Sequence, residues 1–264
     1  MADHRLRRLK RERLVGGTIH DEALVVIERL RAGELDAERV RLAAWLGHGP
    51  AALALGVVPF AVGNDPACFH DWLAGFAHVG RQSWVRAALA AAGCVEEELR
   101  RVGRAQTRDM RVELVLARAW ACCPCPDHFE RARSAPSRNR SGSDREDAVT
   151  VARGVTAACL RAVISPNPLG EATRALQTAL SALAEVAAEV RSRSCARQWS
   201  ARRRGRRVLR AREAHGYARL ARLVDAVRDG LTPWLLAERD ALAEAPAPPG
   251  RQLSPGGPSY LADG

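Results

Sequence analysis

GEATRALQTALSALAEVAAEV, residues 170–190, is the stretch that decides the fold. Leu176, Leu180, Leu183, Val186 and Val190 recur three and four positions apart, the spacing that lines one face of an α-helix. The same periodicity continues on both sides. Toward the C-terminus, Leu209, His215, Leu220, Leu223, Val227 and Leu231 mark a final amphipathic helix, with Pro233 in its last turns and 234–236 placed to dock. Toward the N-terminus, a helix over about 148–163 is broken by Ser165-Pro166-Asn167-Pro168.

Earlier in the chain the punctuation is clearer still. Thr18 caps a first helix with Asp21 and Glu22 in its opening turn, where the helix dipole favours acids. Leu24, Ile27 and Leu30 form its expected buried stripe, and Gly33 ends it. Asp36 caps the next helix, with Val40, Ala43, Ala44 and Leu46 inward and Gly47 as its stop. Gly49-Pro50 opens a short apolar piece over 51–55 that Gly56 closes. Asp65-Pro66 starts a helix through Trp72, Gly80 separates it from another across Trp84 and 88–92, and a further helix runs over about 107–121. In that last helix Met110, Leu114, Ala117 and Ala121 share a face. No run of alternating β-branched residues supports a sheet. The expectation is an all-α protein, an irregular multi-helix bundle with solenoid-like helix pairs as a variant, whose large core members are Trp45, Trp72, Trp84 and Trp120.

Composition sets the organisation. Residues 134–147, SAPSRNRSGSDRED, contain no large apolar side chain and read as a disordered loop. The expected division is a basic flexible arm (1–17), an N-terminal helical part (18–133), that loop, a C-terminal helical part (148–243) and a disordered Pro/Gly/Ser-rich tail (244–264).

The formal charge of +11 is unevenly placed. Arg5, Arg7, Arg8, Lys10, Arg11 and Arg13 crowd the arm, and residues 191–213 hold ten more arginines. Without those two segments the chain carries 25 bases against 28 acids, so the basic pI describes two segments on a slightly acidic body. There is one lysine, Lys10, and no Gly-rich loop or strand precedes it. P-loop, kinase and pyridoxal Schiff-base chemistries, which need a placed amine, are thereby excluded. The first residues lack the apolar core of a secretory signal, no window approaches 18 apolar residues, and seven cysteines are an odd count. A cytoplasmic protein with reduced thiols is expected.

Three groups of residues are candidate sites. Cys122-Cys123-Pro124-Cys125-Pro126-Asp127-His128 offers Cys123, Cys125 and His128 as zinc ligands, thiolates and an imidazole close in sequence. A structural site needs four ligands, which Cys68, His70 or Cys94 would have to complete. The competing reading is a helix stop, in which two prolines stiffen a corner and the cysteines fill space. Arg203, Arg206, Arg207 and Arg210 lie at i, i+3, i+4 and i+7, a helix face able to track phosphates or an anionic partner. A solvated arginine-rich insertion from a GC-rich genome explains the same run. Third, Ala43 and Gly47 have helix-turn-helix spacing, yet the following helix offers only Ala and Leu where base-reading side chains are required. His70 and Asp71 are adjacent on a helix and diverge, so they make no acid–base pair. No GxSxG, HExxH or GxGxxG signature is present.

GELDAERVRLAAWLGHGPAALALG (33–56) resembles a pattern in uncharacterised all-helical proteins of high-GC soil and aquatic bacteria, in which a helix ending LAA-x-LGH leads into AA-x-x-AL. LARAWACCPCPDH (116–128) and VRDGLTPWLLAERD (227–240) are similar to later landmarks of that group. The resemblance implies an all-α fold, and some members are reminiscent of immunity proteins that neutralise a toxin by binding it. The function expected is a non-catalytic interaction protein of adaptor or immunity type, without a cofactor and with an unknown protein partner. The alternatives are sequence-nonspecific nucleic-acid binding through 191–213 and a zinc site at 122–128. No membrane partner is expected.

Overall fold

A computed structural model describes residues 17–60, 66–135, 147–196 and 205–237, and among them every regular element is a helix. In chain order these are α1 (Ile19–Arg31), α2 (Ala37–Trp45), α3 (Gly49–Leu55), α4 (Pro66–Ala74), α5 (Arg81–Arg101), α6 (Arg108–Cys122), α7 (Pro126–Arg133), α8 (Ala148–Ile164), α9 (Pro168–Ala196) and α10 (Gly205–Leu235). The fold is an irregular all-α bundle. The arm before residue 17, residues 136–146 of the expected loop, and the tail from 238 lie outside the described residues.

Local signals place most helix ends. Thr18 and Asp21 form a reciprocal capping box, and Asp36, Thr107 and Asp147 each accept a backbone N–H from the first turn of α2, α6 and α8. Gly47 and Gly56 adopt left-handed φ of +94° and +65°, which ends α2 and α3 in the conformation glycine tolerates best.

At the centre stands α5. It packs against α6, α8, α9 and α10, and α8 lies along α9. Ala88, Ala91, Ala158, Ala162, Ala175 and Ala179 are all fully buried, so helix backbones approach closely, and Leu and Val fill the remaining space. One contiguous core takes side chains from both sides of residues 136–146. The N-terminal helices form a smaller layer: α3 packs on α1 and α2, and α2 meets α10.

Two expectations are corrected. Leu24 is 40% exposed, whereas Ala23, Val25 and Val26 are buried. Both faces of α1 are apolar at that level, and the face it buries bears Ala23 and Val26, while its neighbour α3 buries Pro50, Ala51 and Ala52. Trp72 and Trp120 are core residues, but Trp45 and Trp84 are only partly buried at its edge. Each indole N–H there reaches a carbonyl, Trp45 to Trp72 and Trp84 to Phe76, which suits a ring with one apolar body and one polar tip.

Arginine also closes helix C-termini. Arg81 donates to Val163 O and Ser165 O at 2.9 and 3.0 Å, at the end of α8. Arg86 donates to Ala121 O at the end of α6, and Arg228 to Leu46 O at the end of α2. The last carbonyls of a helix lack intrahelical partners and carry partial negative charge, so a guanidinium both satisfies and neutralises them.

Candidate metal centre

The Cys-rich corner is built from the end of α6 and the start of α7. Cys123 N–H donates to Ala119 O at 3.0 Å, closing α6, while Gln82 Nε2 and Arg86 Nη2 from α5 both donate to Ala121 O at 2.6 and 2.9 Å. Pro124 has its φ locked by its ring, and Cys125 N–H donates to Cys123 O at 2.8 Å, closing a three-residue turn. Pro126 then occupies the first turn of α7, where its missing N–H costs nothing. A helix stop was expected here, and the stop exists, but the second proline also starts a helix. Phe129 and Ala132 hold α7 to the core.

This arrangement brings the ligand atoms of Cys123, Cys125 and His128 within 4.8 Å of one another. Cys125 is the N-cap of α7 and His128 sits three residues on, so their side chains lie on one side of the first turn. Cys125 Sγ is 3.2 Å from His128 Nδ1, which also lies 3.0 Å from Cys123 O. Tetrahedral zinc, with Zn–S near ~2.3 Å and Zn–N near ~2.0 Å, places its ligand atoms roughly 3.5–3.8 Å apart. Closing separations of up to 4.8 Å to that range takes about 1 Å, shared between the two atoms of a pair. A carbonyl only accepts, so the contact with Cys123 O places the ring proton on Nδ1. A metal held through Nδ1 would need that proton on Nε2 instead.

The two thiols differ. Cys125 is half-buried, and the backbone N–H of His128 at the helix start draws its thiol below the ordinary value, although the sulfur makes no well-formed capping hydrogen bond. Cys123 is exposed, and its hydrogen bond to Cys125 raises it. Among the described residues no fourth side chain joins the set. Cys94 is buried elsewhere on α5, beside Arg222 and Glu98, and burial pushes its thiol up to about 11. Cys68 stands apart on α4, and the His70 side chain lies outside the described residues. Cys122, the last residue of α6, is not part of the triad.

The other candidates fare differently. Arg206, Arg207 and Arg210 fall in the first turns of α10, which begins at Gly205, but their side chains and all of Arg203 lie outside the described residues. The helix after Gly47 buries Pro50, Ala51 and Ala52 and exposes Leu53, a side chain that cannot read base edges by hydrogen bonding. Asp71 is exposed on α4 while Trp72 is 1% exposed, in keeping with a solvated acid beside a core ring. What sequence reasoning missed is the anchoring of the corner by Gln82 and Arg86. They lie 39 and 35 residues from the carbonyl they hold, and no local pattern announces such a contact. No family model matches the chain, and neither a curated protein nor a solved structure matches it.

Proposed function

We propose that this protein holds a zinc ion at the Cys123–Cys125–His128 corner and does so without catalysis. The observation that carries the reading is the convergence of two sulfurs and one imidazole nitrogen within 4.8 Å on a corner braced from α5. Thiolate and imidazole suit zinc over hard cations, which prefer oxygen. Cys123 is exposed, so a zinc-bound water in the fourth position would face solvent rather than the dry, base-bearing pocket that hydrolysis requires. Protein loaded with zinc and then desalted is expected to retain the metal stoichiometrically, and Cys125→Ser and His128→Ala are each expected to lose it. Failure of the wild-type chain to retain zinc, or full retention by both variants, would overturn the reading.

A protein partner is the second reading, favoured by an open groove of about 680 Å³ between α2 and the residues after α4. Its floor is Leu42, Trp45 and Val79, and its rim carries Glu38, Arg41 and His78. An apolar floor with a charged rim is the general pattern of a protein contact. Replacing Arg41 and His78 with Glu should abolish capture of a partner that the wild-type chain binds, with the helical signal unchanged. Equal capture by both would remove the groove from consideration.

A further inference from the structure

The turn that gathers the metal ligands has a second chemical capacity. Cys123 and Cys125 stand two residues apart across a turn closed by the 2.8 Å hydrogen bond between their own backbones. Two consecutive Cα steps span at most ~7.6 Å, and closing the turn brings the pair into the roughly 4.4–6.8 Å window of a disulfide. Their sulfurs already lie within 4.8 Å, so little backbone movement is needed to join them.

Exposure separates these two from the other cysteines. Cys123 is open to solvent and Cys125 is half-buried. Cys94 and Cys159 are 7% and 0% exposed, and burial raises both thiols, so neither meets an incoming reagent. None of the six described cysteines is in a disulfide, and Cys123 and Cys125 combine proximity with an accessible member.

We propose that Cys123 and Cys125 form a reversible disulfide by exchange with small, soluble disulfides, and that forming it removes two of the three ligands from the metal. The first half stands on the turn geometry alone, and the second half rests on the zinc reading. In the exchange, the exposed Cys123 sulfur attacks one sulfur of R–S–S–R, breaking that bond and releasing the first R–SH. Cys125 then attacks the Cys123 sulfur of the mixed disulfide, forming the internal S–S bond and releasing the second R–SH. The two cysteines lose two electrons and two protons, and the small disulfide gains both. In the zinc-loaded protein the ion leaves with its thiolates gone, because His128 alone is too few ligands to keep it.

The test begins with full-length protein stripped of metal by a chelator, which keeps it independent of the zinc reading. Treated with oxidised glutathione, blocked and digested, the wild-type chain is expected to lose two hydrogens on the peptide that spans 123–125, reversibly with dithiothreitol. Cys125→Ser should stop at a stable glutathione adduct on Cys123, and Cys122→Ser should behave as wild type. An internal bond in Cys123→Ser would show that Cys122 is the true partner. That result overturns the proposal, as do wild-type adducts without any internal bond. A second arm follows zinc-loaded protein with a colorimetric chelator, where release should track disulfide formation mole for mole. Disulfide formation with the zinc retained would overturn the coupling while leaving the zinc reading intact. A chain that never binds zinc leaves the first arm to decide the disulfide alone.

Discussion

Trp234→Ala is expected to cost about 4 kcal/mol and to lower the melting temperature by roughly 10 °C. The indole of Trp234 meets two guanidiniums, Arg39 at 4.2 Å and Arg86 at 4.3 Å from the ring centroid. It thereby ties α10 to both α2 and α5. Truncation removes a 9%-exposed aromatic and also uncovers Arg86, a charged group only 2% exposed that depends on the ring for part of its environment. Trp234→Phe keeps an aromatic face for both cations and should lose less than half as much. Urea titrations of the three proteins measure this directly. A loss below about 1 kcal/mol for the alanine variant would show that these ring contacts contribute little.

Gly75→Ala follows, at about 3 kcal/mol. A Cβ built on Gly75 would stand 2.0 Å from Trp45 Nε1 and 2.3 Å from Cε2, far inside contact distance. The obstructing atoms belong to a flat ring that has little freedom to retreat. Trp45 donates to Trp72 O at 3.0 Å and stacks on Phe60 with centroids 4.5 Å apart, so moving it breaks a hydrogen bond and a ring contact together. The cost should shrink sharply when Gly75→Ala is combined with Trp45→Ala, since the methyl group then enters space the indole has left. Additive losses in that double-mutant cycle would mean the clash is relieved in another way.

The helices were legible wherever their determinants are local. The passage from Asp36 through Gly47 to Gly56 needs only a capping side chain, a buried stripe and two left-handed glycines, all within a few residues of one another. α7 was illegible because Cys-Pro-Cys-Pro reads as a breaker, and a proline that ends one helix is equally suited to begin the next. Leu24 was misplaced because α1 is apolar on more than one face and its partner α3 selects among them. The metal corner was visible as three ligands close in sequence, but its bracing by Gln82 and Arg86, which reach Ala121 O from another helix, was not. The arginines were hardest of all. Codon bias and phosphate binding each account for arginine-rich composition, yet Arg81, Arg86 and Arg228 close the ends of three helices, a task defined only by tertiary neighbours.

The contact between Arg228 and Leu46 spans 182 residues, and Trp234 meets Arg39 over a comparable stretch. Synthesis runs from the N-terminus at about 5–20 residues per second, so α2 emerges roughly ten seconds or more before the helix that covers it. During that interval the α2 face that α10 later covers stands open, and Leu46 O has no guanidinium at the helix end. Closure of the bundle is therefore postponed to the moment α10 docks, a step dominated by contacts distant along the chain. A ribosome stalled before α10 leaves the exit tunnel would hold a chain with an unclosed first layer, and such a chain is what a chaperone or a protease would meet first.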